Sequence, residues 1–177
     1  PLYERLKSYR GVFGSKLGWE RPNWFASDGA EAKDIYSMGR QNWFGPVGDE
    51  HRHVREKVGI FDQSSFAKYE FTGIDAGKAL DWICANDVSK PVGRLTYTQL
   101  LNTRGGIEAD LTVARLAEDK FYIVTGTGFR THDLAWLSDH VADGLDARLT
   151  DVTEDFGTLS LMGPRARDVL AAVTDGD

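Results

Sequence analysis

The sequence predicts an α+β domain of split β-α-β (ferredoxin-like) type: an antiparallel sheet with helices on one face, preceded by an aromatic-rich arm. Three observations predict it. Two runs of strand-forming residues flank a Gly-Gly turn between Leu95 and Leu116, which reads as a hairpin. Amphipathic helical stretches fall between strand runs, in the order strand, helix, three strands, helix, two strands, helix, and antiparallel pairs interrupted by helices place those helices on one face of a sheet. The first 48 residues carry Trp19, Trp24, Trp43, Tyr3, Tyr9, Tyr36, Phe13, Phe25 and Phe44 among Gly and Pro, with little periodicity.

Those aromatics bury large areas against something. Residues 1–48 are therefore read as an arm, packed either on the rest of this domain or on a domain outside the chain, and 49–177 as the domain proper. Asp49 to Val58 predicts a short helix, with Asp49 as N-cap and Gly59 just past its end. Gly59 to Asp62 leads into a strand at 66–72. Asp75 is placed to cap a helix in which Ala76, Ala79, Leu80 and Ile83 form one apolar stripe. Asn86 to Gly93 is a polar turn before the hairpin, and Lys120 to Gly126 is the third strand. Gly126-Thr127-Gly128 breaks it and opens a helix from Phe129 to Val141, with Leu134, Leu137 and Val141 on one side. Residues 147–153 and 158–162 predict two more strands, and Gly163-Pro164 starts a last helix.

Composition excludes several classes. The chain has 177 residues, 41% hydrophobic and 11% aromatic, as expected of a folded core. Its net charge of −6, from 27 acidic and 21 basic residues, and the lack of a basic run with interleaved aromatics exclude nucleic acid as the expected partner. No run approaches the ~20 apolar residues of a membrane span. The single cysteine, Cys84, makes no internal disulfide. The charged N-terminus has no apolar signal core, so a soluble, reducing compartment is expected.

Candidate chemistry centres on Asp110. In Ile107 to Ala114, period-two alternation sets Ile107, Ala109, Leu111 and Val113 against Glu108, Asp110 and Thr112. The face bearing Asp110 is either solvent or a site. A carboxylate there suits proton acceptance or stabilisation of a cation. Tyr97, on the partner strand, is placed to stack on or hydrogen-bond to a planar ligand, or to pack at the rim. Thr125 and Gly126 stand at a strand-to-helix junction whose N–H groups suit an anion or heterocycle, although the spacing is not that of a phosphate loop. No metal is expected, because His51 and His53 diverge on a helix and lack a third ligand. His132 and Asp133 sit in a first helical turn, where Asp133 favours the dipole and His132 reads as a surface residue, and Cys84 reads as a small buried hydrophobe. No GxGxxG occurs, so the chain has no dinucleotide fingerprint.

The runs GIFDQSSFAKYEFTG (59–73), TYTQLLNTRGGIEADLTV (96–113), YIVTGTGFRTHDLAWL (122–137) and LSLMGPRARDVL (159–170) together resemble the N-terminal part of the folate-dependent aminomethyltransferase family, that of the glycine cleavage T-protein. The arm FGSKLGWERPNWFA (13–26) is similar to the segment before this module in dimethylglycine and sarcosine dehydrogenases. The resemblance implies a tetrahydrofolate-binding, one-carbon-transfer module that captures the iminium of an N-methylated glycine as methylenetetrahydrofolate. FAD would lie in an N-terminal domain absent from this chain. It places the family's essential Asp on Asp110, a folate-contacting Tyr on Tyr97, and a pterin contact at Thr125, where T-proteins usually carry Asn. Family members run to about twice this module, so the chain is expected to be a fragment, with an uncovered sheet edge and self-association. Location is expected to be cytoplasmic, or the mitochondrial matrix in a eukaryote. Two other readings stand: a free-standing aminomethyltransferase or folate-dependent demethylase, and a non-catalytic folate-binding or structural module.

Overall fold

A computed structural model describes residues 2–175. In chain order the elements are α1 (Leu2–Ser8), β1 (Gly11–Lys16), β2 (Trp19–Phe25), α2 (Phe44–Glu56), β3 (Gly59–Asp62), β4 (Ala67–Thr72), α3 (Ala76–Ile83), β5 (Leu95–Leu101), β6 (Ile107–Ala117), β7 (Lys120–Thr125), a 3-10 turn (Thr127–Phe129), α4 (Arg130–Asp139), β8 (Arg148–Asp151), β9 (Leu159–Met162) and α5 (Ala166–Val173). They form two compact units, one from the residues up to 63 together with those from 159 onward, the other from 64–158. The division expected at residue 48 falls within α2.

In the first unit the arm is more ordered than its sequence suggests. β1 and β2 make an antiparallel hairpin whose two-residue connection, Leu17-Gly18, has φ of 53° and 85°. Two successive left-handed residues match the right-handed twist of the flanking strands. Pro22 is tolerated in β2 because the register shifts beside its partner, between Val12 and Phe13. Val12, Trp24 and Ala26 are buried together, with Trp43 and Val47 packed on them. The Trp24 indole N–H donates to Asp34 Oδ1 at 2.8 Å, which satisfies its one polar group. Part of the arm's aromatic surface is therefore buried within its own unit, while Tyr9, Tyr36 and Phe44 stay exposed.

Two boundaries differ from expectation. α2 begins at Phe44 with Trp43 as its N-cap residue, and Asp49 lies inside it. Gly45-Pro46 lies in the stretch read as an arm, but Pro in a first helical turn removes an N–H that has no intrahelical partner anyway. Lys57 is the C-cap residue, and Gly59 opens β3. The predicted strand at 158–162 does form, as β9, but it pairs with β3 and stands outside the main sheet. Alternation specifies an extended segment and a face; it does not specify the partner.

The second unit is a five-stranded antiparallel sheet in the order β5-β6-β7-β4-β8. The order β8-β4-β7-β6 is that of the split β-α-β motif, and β5 adds an edge strand. One face is the core. Tyr69, Phe71, Leu111, Val113, Phe121 and Ile123 from the strands pack with Ala76, Ala79, Leu80 and Ile83 of α3 and Leu137 of α4. Burying a Leu or Phe side chain stabilises by roughly 1.5–3 kcal/mol, so this layer anchors both helices. Asp75 begins α3, but its carboxylate Oδ2 accepts from the Asp146 N–H at 3.0 Å and makes no cap bond. The outer edge of β5 is met by residues 84–86. Cys84 bridges Leu100, Ala85 N–H donates to the Gln99 carbonyl at 2.9 Å, and the Asn86 side chain donates to the Tyr97 carbonyl at 2.8 Å. That edge is not left open.

Candidate functional site

The β5–β6 hairpin sets the site. Leu95 pairs with Ala114, Tyr97 with Thr112 and Gln99 with Asp110, and a bulge at Leu100/Leu101 precedes the turn. Gly105 alone of the two turn glycines takes a positive φ, 79°. Asn102 organises the turn: its Oδ1 accepts from the Arg104 and Gly106 N–H groups, each at 2.9 Å. Ala109, Leu111 and Val113 are buried and Asp110 is exposed on the other face, as period-two alternation requires.

Tyr97 and Asp110 are thereby diagonal neighbours, a separation that an aromatic side chain spans. The Tyr97 hydroxyl donates to Asp110 Oδ2 at 2.7 Å. Asp110 Oδ1 has no side-chain partner among the described residues. The hydrogen bond to Asp110 pushes the Tyr97 phenol above its ordinary range, partly offset by Gln99. The pair thus presents one bonded and one open carboxylate oxygen on a solvent-facing sheet surface. An open depression beside Tyr97 is lined by Asn86, Lys90, Arg94 and Thr96.

Thr125 goes elsewhere. It alternates with Ile123 and Phe121 along β7, so its side chain is buried on the helix-covered face, opposite that of Tyr97 and Asp110. Its hydroxyl donates to Asp133 Oδ2 at 2.6 Å. Gly126 leaves the strand with φ −65° and ψ 145°, and its carbonyl accepts from the Phe129 N–H at 2.9 Å to start the 3-10 turn. Extending the Thr112–Val124 pairing outward points Gly126 towards Asp110. Of Thr125 and Gly126, only the Gly126 backbone therefore approaches the Asp110 face, with the Phe129 ring beside it.

Asp133 was readable only as a first-turn helix residue, yet it is fully buried. Its second oxygen, Oδ1, lies 2.8 Å from His132 Nδ1. The missed signal is its position one turn before Leu137, on the apolar stripe: a carboxylate there must find donors inside the fold. His132 Nε2 stands 3.9 Å from Glu108 Oε2, and Glu108 Oε1 accepts from the Asn102 amide at 2.6 Å. Cys84 is buried, and burial first, then the Asp81 charge, pushes its thiol up to about 12, which keeps it a thiol and not a nucleophile. His51 and His53 lie on α2, and among the described residues no group of three or more His, Cys, Asp or Glu side chains is placed to hold a metal ion. A cavity of about 460 Å³ in the first unit, lined by Leu2, Phe25, His53, Val54, Ile60 and Phe61 among others, contains none of Tyr97, Asp110, Thr125 and Gly126. Among the described residues no helix is long and apolar enough to cross a membrane.

Comparison with known proteins bears on the sheet and its hairpin. A family model described as the GCVT N-terminal domain matches residues 2–177. The chain belongs to this family. Dimethylglycine dehydrogenase, mitochondrial, of Rattus norvegicus is 38% identical over 177 residues, 99% of this chain and 20% of its own length. The 4-methylaminobutanoate oxidase (formaldehyde-forming) of Paenarthrobacter nicotinovorans is 37% identical over 177 residues, 100% of this chain and 21% of its own. The crystal structure of the glycine cleavage system aminomethyltransferase T from Bartonella henselae superposes with a TM-score of 0.79 at 30% identity, covering 97% of this chain and 42% of that one. This GCVT N-terminal domain therefore spans about a fifth of the length of the curated relatives named. The match to aminomethyltransferase T agrees with the α+β class that the strand and helix order predicts.

Proposed function

We propose that this GCVT N-terminal domain is the tetrahydrofolate-binding, one-carbon-transfer module of a dimethylglycine or sarcosine dehydrogenase-like enzyme, with Asp110 as the reacting-centre carboxylate. The observation that carries the reading is the Tyr97–Asp110 pair on the open sheet face of a chain in this family. The donor set fits a polar heterocycle: an aromatic face, an acceptor oxygen and backbone N–H groups at the Gly126 junction. Tetrahydrofolate, when bound, supplies the nitrogen nucleophile that captures a one-carbon unit from an N-methylated glycine. Tyr97 holds Oδ2 of Asp110 and leaves Oδ1 to accept a proton or to stand against developing positive charge. A flavin finds no matching fingerprint in this chain and would be held by another domain. In a eukaryote the module would act in the mitochondrial matrix, a reading supported by the word mitochondrial in the rat relative's name, and in a bacterium in the cytoplasm.

The test is calorimetric titration of the chain with tetrahydrofolate under reducing conditions, beside Asp110→Ala and Tyr97→Ala. Saturable binding that either change weakens by about tenfold, the equivalent of about 1.4 kcal/mol, is expected. No saturable binding, or binding indifferent to both changes, would overturn the reading. The name of the Paenarthrobacter relative favours a second reading, in which the one-carbon unit leaves as formaldehyde. Trapping the product from dimethylglycine in the enzyme that carries this module, with and without tetrahydrofolate, separates the two.

A further inference from the structure

The Thr125–Asp133–His132–Glu108–Asn102 chain crosses from the buried layer under α4 to the tip of the hairpin, and the site described above uses none of it. Asp133 is buried, and its Oδ2 is taken by the Thr125 hydroxyl. A carboxylate only accepts, so with Asp133 ionised the 2.8 Å contact with Oδ1 takes its hydrogen from His132 Nδ1. Nε2 is then the ring atom that faces the hairpin, 3.9 Å from Glu108 Oε2. Beyond Glu108, the Asn102 amide joins the carboxylate to the turn whose N–H groups Asn102 also holds.

We propose that His132 is a positioning residue whose charged imidazole spans Asp133 and Glu108, tying the start of α4 to the hairpin that presents Tyr97 and Asp110. The functional consequence rests on the folate reading above; the tie itself does not. A neutral ring with Nδ1–H on Asp133 turns a bare nitrogen towards the Glu108 carboxylate, and a charged ring turns an N–H towards it. At 3.9 Å this is Coulombic attraction, not a hydrogen bond. Other groups around the ring do not compete for it. Trp136 stacks on it with centroids 6.2 Å apart, and His140 lies against Trp136 at 4.3 Å. Arg130, two residues earlier, is turned to Asp151 and Glu154, each at 2.8 Å. Among the described residues, Glu108 of β6 and Asp133 of its own helix are thus the acidic partners of the imidazole. Protonation draws Glu108 in and fixes the strand two residues before Asp110; deprotonation releases it.

The experiment is a pH titration of the ¹⁵N-labelled chain by NMR, in wild type, Glu108→Gln and His132→Gln. Gln at 108 keeps an acceptor for Asn102 and removes only the charge. The backbone and Asn102 side-chain signals of residues 102–110 are expected to follow the His132 ring titration in wild type and to stop following it in both variants. Hairpin signals indifferent to His132, or still following it in Glu108→Gln, would overturn the proposal. Tetrahydrofolate affinity measured across the same pH range should fall about two- to fivefold as His132 loses its charge, and the step should vanish in Glu108→Gln. Hairpin signals that follow His132 in a chain that binds no tetrahydrofolate would support the tie and count against the folate reading alone. Binding without a pH step in wild type would count against the tie.

Discussion

Tyr97 and Asp110 meet across a diagonal of the β5–β6 ladder, with the phenol hydroxyl 2.7 Å from Oδ2, although Tyr97 is 59% exposed. Two groups that water could satisfy separately are instead paired on an open sheet face. Such pairing orients a carboxylate more than it stabilises a fold.

The pairing fixes how Tyr97 titrates. The hydrogen bond to Asp110 is the largest influence and raises the phenol, so its neutral, donating form persists to higher pH than usual. A raised value means that the bond's contribution is fully present below the ordinary phenol range and is lost as pH rises through the raised one. Ultraviolet titration of wild type minus Tyr97→Phe should therefore show one tyrosine ionising late. In Asp110→Asn that component should move down. A component unmoved by Asp110→Asn would mean that the bond is not made in solution.

Gly73 closes β4 with φ 131°, and a Cβ there would stand 2.1 Å from the Asp146 carbonyl oxygen. Backbone blocks it, and backbone does not swing aside. Gly73→Ala should cost about 2–5 kcal/mol, strain and overpacking together. Gly105 is the control, with φ 79° and nothing within 4 Å of its Cβ position. Gly105→Ala should cost only the left-handed conformation, about 1–2 kcal/mol. Urea unfolding of the two variants measures the difference, and equal losses would place the Gly73 effect in φ alone.

Leu17 carries the opposite opportunity. It sits at φ 53° in the β1–β2 turn and is 63% exposed, so its side chain gains little from burial while its backbone is strained. Leu17→Gly or Leu17→Asn should stabilise the chain by about 1 kcal/mol and raise the thermal midpoint. No gain from either would show that the Leu17 side chain makes a contact worth as much as the strain.

What was legible in the sequence follows from which interactions are local. The hairpin expected at 95–116, the stripe of α3 and the placement of Asp110 opposite the aliphatic stripe of its strand depend on period and turn chemistry, and all three are found. The β1–β2 hairpin was hidden because its turn is Leu17-Gly18, not an Asn-Gly or Gly-Gly pair, and its second strand contains Pro22. The partner of β9 was hidden because it lies far away in sequence. The resemblance brought Thr125 to the ligand beside Tyr97, but strand alternation already put it on the opposite face from its neighbour Val124, the residue paired with Thr112. The partner of Asp133 needed tertiary structure: its place one turn before Leu137 marks it for burial, but that a threonine hydroxyl meets it depends on where β7 lies under α4.

Thr125 gives the sharpest test of that assignment. Its hydroxyl is the donor to Oδ2 of a buried carboxylate, at 2.6 Å. Thr125→Val keeps the shape and removes the donor, which leaves that oxygen unpaired in the core at a cost of about 2–3 kcal/mol. Thr125→Ser restores the donor and loses one methyl, about 1 kcal/mol. Urea unfolding should rank wild type above Ser and Ser above Val. Tetrahydrofolate affinity at a temperature where all three are folded should be the same for Ser and wild type, because the hydroxyl is engaged beneath α4 and not offered to a ligand. A Val variant as stable as Ser but weaker in binding would reverse the assignment and return the Thr125 hydroxyl to the folate side of the sheet.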